Sequence, residues 1–333
     1  MALKWGICST GKICSDFCSA LKTLPSEDHQ IVAVVSRSQD TAEKFATTFD
    51  IPKTYSSYEK FAADPEIEIV YIGSAYTEHV RLSIQMLNAG KHVLCEKPLA
   101  DTLEDVKLIH KIAKEKHLFF MEAVWSRCFP LYHRIKEEIT SKSIGDAQMV
   151  SARFFLNFNY CERIKTQIRG GFLLDAGIYT VQLACLVYGE DPVSIKAVGE
   201  VAGSGHDIDG CVVLSYSKGQ KACLMYSSKV KSDTNCASIN GTNGSIEIND
   251  HFWCPEEVKL PTGKETNEIP VGPVPFYYPN SGGLCYEAEE VRKCIKSGKT
   301  EYPHYTHNDS EMVHKIMEEV AKQIGRKLPY TKD

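Results

Sequence analysis

No stretch of this 333-residue chain stays apolar for the ~18 residues that a helical membrane span needs. Excess positive charge is missing too. The formal net charge is −5, so a polyanion such as nucleic acid is not an expected partner. The opening residues Met1-Ala2-Leu3-Lys4-Trp5-Gly6 pass straight into a strand pattern and leave no room for a secretory leader. There is no Cys-x-x-Cys pair. The 13 cysteines are odd in number and scattered, and several (Cys95, Cys185, Cys211, Cys223) sit in apolar runs. This argues against a disulfide framework and against a metal site, and for reduced core thiols in a cytoplasmic protein. Internal repeats and low-complexity linkers are likewise missing, and the length suits two domains.

What is present is organised around Val93-Leu94-Cys95-Glu96-Lys97-Pro98-Leu99. An apolar run stops at a proline, which cannot donate to a sheet ladder, so a buried strand ends here. In open parallel sheets ligands bind beyond the carboxyl ends of the strands, which is where Lys97 stands. Upstream, a strand at 3–8 runs into Gly6-Ile7-Cys8-Ser9-Thr10-Gly11-Lys12-Ile13 and a helix to about residue 21. A tight turn feeding a helix N-terminus cradles phosphate through backbone N–H groups. The full G-x-G-x-x-G is not there, since glycines stand only at 6 and 11. The next strand, 30–35, ends in Ser36-Arg37-Ser38, with no acid where one would bind the ribose hydroxyls of NAD. An arginine and a hydroxyl suit a 2′-phosphate instead. A strand at 67–72 ends in Gly73-Ser74-Ala75-Tyr76-Thr77-Glu78-His79, placing Tyr76 and His79 at a strand-to-helix corner on the same rim. A fifth strand, 118–123, runs into Val124-Trp125-Ser126-Arg127. Five strands alternating with helices make a doubly wound parallel sheet.

The glycine turn, the Ser74-to-His79 corner, Glu96-Lys97-Pro98 and Glu122-Ala123-Val124-Trp125-Ser126-Arg127 follow in that order. The ordered set resembles the glucose–fructose oxidoreductase / inositol dehydrogenase family. Within that family it is most similar to the dimeric dihydrodiol dehydrogenases, which are also described as NADP-dependent D-xylose dehydrogenases. The resemblance covers essentially the whole chain. It implies an α/β architecture: a Rossmann domain over residues 1–125, then a substrate-binding and dimerisation α+β domain over 126–333 with a large, mainly antiparallel open sheet. It also implies NADP contacts from Ser9, Thr10, Gly11, Lys12, Ile13, Ser36, Arg37, Tyr71, Ser74, Tyr76, His79, Glu96, Lys97, Trp125 and Arg127.

The second half agrees with that outline. Segments 147–155, 194–200, 210–216, 220–227, 237–240 and 245–249 read as strands with short turns between them, as in an antiparallel sheet. One wet face of such a sheet is the expected surface for a homodimer. Helices are expected at 130–139, 286–297 and 310–325. One more helix, from Gly170 to Tyr188, interrupts the strands and carries Asp175 and Tyr179 four apart on one face. A partly buried carboxylate beside a phenol is an uncommon thing to build for stability alone. In the resembling family a histidine usually stands where Tyr179 is, so the proton-handling role passes to Tyr179 and Lys97, with Asp175 orienting the substrate. The expected activity is NADP-linked oxidation of a secondary alcohol on a cyclic diol or an aldose. Three alternatives remain open: a reductase of another sugar-like or cyclic carbonyl, a non-catalytic dinucleotide sensor, and a sugar hydrolase on the same fold.

Overall fold

The structure is a computed structural model that describes residues 2–157, 171–232 and 234–326. It divides into two compact units.

The first unit comprises Met1–Ala100, Glu104–Cys128 and Glu268–His307. Its chain order is β1 (Leu3–Cys8), α1 (Lys12–Leu21), β2 (His29–Val35), α2 (Gln39–Phe49), β3 (Lys53–Tyr55), α3 (Tyr58–Ala62), β4 (Ile69–Ile72), α4 (His79–Asn88), β5 (His92–Glu96), α5 (Leu103–Glu115) and β6 (Phe120–Ala123). The strands pair in parallel in the order β3-β2-β1-β4-β5-β6. The order reverses between β1 and β4, and that reversal is where such sheets open a ligand crevice at their carboxyl ends. Strands β4 and β6 are buried along their whole length, because helices cover both faces of a parallel sheet. Gly6 is needed by packing: a Cβ there would stand 2.6 Å from the Phe61 ring of α3. The sheet has six strands where the sequence suggests five. The extra one, β3, has three half-buried residues at the sheet edge and so no apolar run to announce it.

The second unit comprises Asp101–Leu103, Phe129–Asn267 and Asn308–Asp333. Helix α6 (Pro130–Thr140) leads to β7 (Ala147–Phe155). A π-helical turn (Leu173–Gly177) runs into α7 (Ile178–Tyr188). Then come β8 (Ser194–Val201), β9 (Asp207–Ser215), β10 (Lys221–Ser227), β11 (Ala237–Gly241), β12 (Ser245–Ile248), β13 (Glu257–Leu260) and β14 (Gly263–Thr266). These strands form one eight-stranded sheet ordered β14-β13-β12-β11-β7-β10-β9-β8. It is antiparallel apart from the parallel pair β7–β10. Helix α7, nearly all buried, packs on β7 and β10. The other face is open: Val198, Cys211 and Met225 face one another across β8, β9 and β10, and Val198 is 71% exposed. Cys211 is therefore no core thiol, contrary to the expectation from its apolar run. Alternation along β9 turns its side chain outward. All twelve cysteines among the described residues are free. The last two helices are α8 (Leu284–Lys296) and α9 (His307–Gln323).

Candidate active site

In the first unit the candidate residues gather at the carboxyl ends of β1, β2, β4 and β5. After β1 the chain turns through Ser9, whose φ of 99° lies in the left-handed region that glycine would fill more cheaply. Its hydroxyl accepts the Gly11 N–H at 3.3 Å. Gly11 caps α1 in an extended conformation, and Gly11 and Lys12 are exposed, with Thr10 and Ile13 half-buried behind them. The helix N-terminus thus opens toward the rim, where its unpaired N–H groups and dipole suit a pyrophosphate. At the end of β2 the buried Ser36 hydroxyl lies 2.6 Å from that of Thr41 and accepts from Thr10 at 3.5 Å. Beside it Arg37 is exposed and forms no ion pair among the described residues. The end of β2 therefore presents a hydroxyl cluster and a guanidinium, and no carboxylate.

The corner after β4 is closed by His79, which is buried. Its Nδ1 lies 2.8 Å from the Pro98 carbonyl and its Nε2 3.2 Å from that of Ser74. Burial lowers its pKa. His79 therefore ties the loop that carries Lys97 to the corner that carries Ser74 and Tyr76, both half-buried. Tyr71 points into the core, stacked on Phe17 at 3.7 Å, and donates to Glu96 Oε1 at 2.6 Å. Glu96 is buried, and desolvation pushes its carboxyl up to about 7 against the help of the Tyr71 bond and of Lys97. Lys97, half-buried, follows directly, joined to Pro98 by a cis peptide. Glu122 fixes the loop beyond: it accepts the Leu99 N–H at 3.0 Å and the Tyr305 hydroxyl at 3.1 Å. Trp125 and Arg127 are buried in the short turn Trp125–Cys128, where Arg127 donates to the His304 carbonyl and lies over the Tyr305 ring.

A stability consequence follows from Glu96. An acid whose folded-state pKa is raised stabilises the fold fully below its unfolded value, near 4.5, and loses that contribution as pH rises through about 7. Glu96→Gln is expected to flatten this part of the pH dependence. Urea midpoints of both proteins at pH 6 and pH 8 measure it, and an equal fall in both between those values would contradict it.

In the second unit Tyr179 is 7% exposed, its ring set against Phe154 and Trp253. Asp175, half-buried, lies in the π-helical turn and not in a regular α-helix, so its angular offset from Tyr179 differs from the α-helical one expected from spacing. Such turns recur at functional sites. Gly170, where the sequence starts this helix, lies outside the described residues. Sequence reasoning missed Thr41, Glu122 and Tyr305, which position others, and Phe154 and Trp253, which wall Tyr179. Only contacts between residues far apart in the chain single them out.

Comparison with known proteins then places the chain. Residues 3–124 match the model of the "Oxidoreductase family, NAD-binding Rossmann fold", and residues 132–247 match the "GFO/IDH/MocA C-terminal domain". Trans-1,2-dihydrobenzene-1,2-diol dehydrogenase of Xenopus tropicalis is 40% identical over 332 residues, covering 99% of this chain and 100% of that one. Two solved structures share the fold. Levoglucosan dehydrogenase, in complex with NADH and levoglucosan, has a TM-score of 0.82 at 20% identity, covering 98% of each chain. KijD10, a 3-ketoreductase from Actinomadura kijaniata in complex with NADP, has a TM-score of 0.79 at 21% identity, covering 97% of this chain and 98% of that one.

Proposed function

Because this chain belongs to the GFO/IDH/MocA family of oxidoreductases with an NAD-binding Rossmann fold, we propose that it oxidises a secondary alcohol of a cyclic trans-dihydrodiol or of an aldose such as D-xylose, using NADP. The observation that carries this reading is the full-length likeness to the Xenopus dehydrogenase, held together with Lys97 at the end of β5 and Asp175 with Tyr179 in the second unit.

Ser36, Arg37 and Thr10 would hold the 2′-phosphate of NADP, and the turn from Ser9 to Ile13 its pyrophosphate. Ser74, Tyr76, His79, Glu96, Lys97, Trp125 and Arg127 would line the rim, with Tyr71 acting through Glu96. The chemistry that bound NADP supplies is acceptance of the hydride. The chain's own work is on the hydroxyl. Asp175 accepts a hydrogen bond from it and fixes its orientation. Tyr179 takes the proton. A phenol with a reference pKa near 10 needs a cation to stabilise its anion at neutral pH, and Lys97 fills that role or takes the proton itself. The apolar row Val198–Cys211–Met225 on the open sheet face supports a homodimer, and the free cysteines support a reducing, cytoplasmic setting.

Absorbance at 340 nm tests the reaction, with NADP and a panel of trans-dihydrobenzenediol, D-xylose and D-glucose. The expected result is NADPH formation with the diol or D-xylose. No NADPH from any of them, together with NADPH-dependent reduction of a cyclic ketone, would favour the reductase. Sedimentation reads the assembly, and a monomer at micromolar concentration would remove the dimer.

A further inference from the structure

The second unit holds a buried ionic cluster that the reaction above does not use. Asp207, the first residue of β9, and Arg326, which follows α9, both have fully buried side chains. Asp207 Oδ2 accepts the Leu173 N–H at 2.6 Å. Leu173 is the first residue of the π-helical turn that holds Asp175 and runs into the helix of Tyr179. The carboxylate of one strand therefore caps the N-terminus of another element and complements its dipole. The approach is so close that a Cβ on Gly171 would stand 1.9 Å from Asp207 Oδ1, and Gly171 has a φ of 74°. Arg326 holds the other side: its Nε lies 3.6 Å from Asp207 Oδ1, and its NH2 donates to Asp101 Oδ1 at 3.0 Å. Thus one guanidinium joins the segment after Ala100, the start of β9 and, through Asp207, the helix bearing the substrate-facing pair.

We infer that Asp207 and Arg326 are positioning residues for the proposed dehydrogenase reaction: Asp207 caps and sets the helix that presents Asp175 and Tyr179, and Arg326 holds Asp207 as the charged cap. The inference rests on the function proposed above. A buried carboxylate survives only if paired, and the cap needs its charge. Among the described residues, Tyr226 of β10 faces this pair, with Asp209 of β9 next to it, and His206 and Asp101 stand beside Arg326. Desolvation already raises the Asp207 carboxyl to about 6 although Arg326 pulls it down. Without the guanidinium it would titrate higher still, within the working range.

The test follows kcat/KM against pH from 5.5 to 9, with NADPH affinity by fluorescence titration. Arg326→Leu is expected to move the acid-side limb, which Asp207 sets near pH 6 in the wild type, to higher pH, with kcat/KM down roughly tenfold at pH 6 and NADPH affinity within about twofold, the scale of a charged bond lost at one site. The double variant Arg326→Leu with Asp207→Asn removes the titrating group, so the limb should vanish while the low value persists. Arg326→Lys, which keeps the charge if the leucine variant fails to fold, should leave the limb at its wild-type position. Unchanged kcat/KM in Arg326→Leu and Asp207→Asn would overturn the inference, as would a limb that persists in the double variant. The wild type's own 340 nm assay separates the two proposals: if it oxidises none of the alcohols of the panel, the reading of the reaction fails; if it does so while the Arg326 variants match it, only this inference fails.

Discussion

Replacing Tyr179 by phenylalanine is expected to lower kcat by ~10²–10⁴, the worth of a positioned general base, while NADPH binding stays nearly intact. The reasoning starts from packing. The Tyr179 ring is walled by Phe154 and Trp253, so phenylalanine keeps every ring contact and removes only the hydroxyl. Lys97→Met is expected to damage both kcat and NADPH binding, because Lys97 leaves β5 on the cofactor rim beside the buried Glu96. Asp175→Asn should chiefly raise the substrate KM, with a smaller loss in kcat. Steady-state kinetics with fluorescence titration of NADPH separates the three patterns. If Tyr179→Phe keeps more than about half of the wild-type kcat, the tyrosine is structural and Lys97 alone remains for the proton.

The second large effect concerns cofactor choice. Arg37→Asp is expected to weaken NADP binding by at least ~2 kcal/mol, about 30-fold, since it removes a charge-assisted bond and adds repulsion of the 2′-phosphate. Arg37 is exposed and its neighbour Ser36 is already bonded within the Thr10–Ser36–Thr41 cluster, so the fold should not notice the change. NAD, with free ribose hydroxyls, should bind the variant at least as well as it binds the wild type. Equal KM values for NAD and NADP in the wild type would sink the assignment of Arg37.

The central strands were legible because covered parallel strands read as unbroken apolar runs. Ile69–Ile72 and the strand before Lys97 are the clearest cases. Strand β7 was legible by its alternation along nine residues. The edge elements were not. β3 is three half-buried residues, and β14, with mostly exposed residues, carries no apolar stripe. Spacing put Asp175 and Tyr179 in one helix, yet no residue pattern distinguishes a π turn from an α turn, because the difference lies in which carbonyl each N–H reaches. Glu122 and Asp207 were illegible for another reason. Each acts through a partner distant in sequence, Tyr305 for the first and Arg326 for the second, and such pairings exist only once the chain has folded.

Apart from the short excursion at Asp101–Leu103, the first unit is made in two instalments. The chain leaves it at Cys128 and comes back at Glu268. The returning piece is bonded into α1 and β2. Asp16 accepts the N–H groups of Tyr277 and Tyr278, the Ser19 hydroxyl both donates to and accepts from Val274, and His29 pairs with Glu289. At ~5–20 residues per second, a ribosome needs roughly seven to thirty seconds to make the intervening stretch. Over that interval the nascent cofactor sheet is complete in its strands, while Asp16 and Ser19 wait without their final partners. The order of synthesis also makes the far end of the message decisive for the near end of the protein: a chain stopped at residue 267 should lose cooperative melting of its first unit, and a single sharp transition in that fragment would show otherwise.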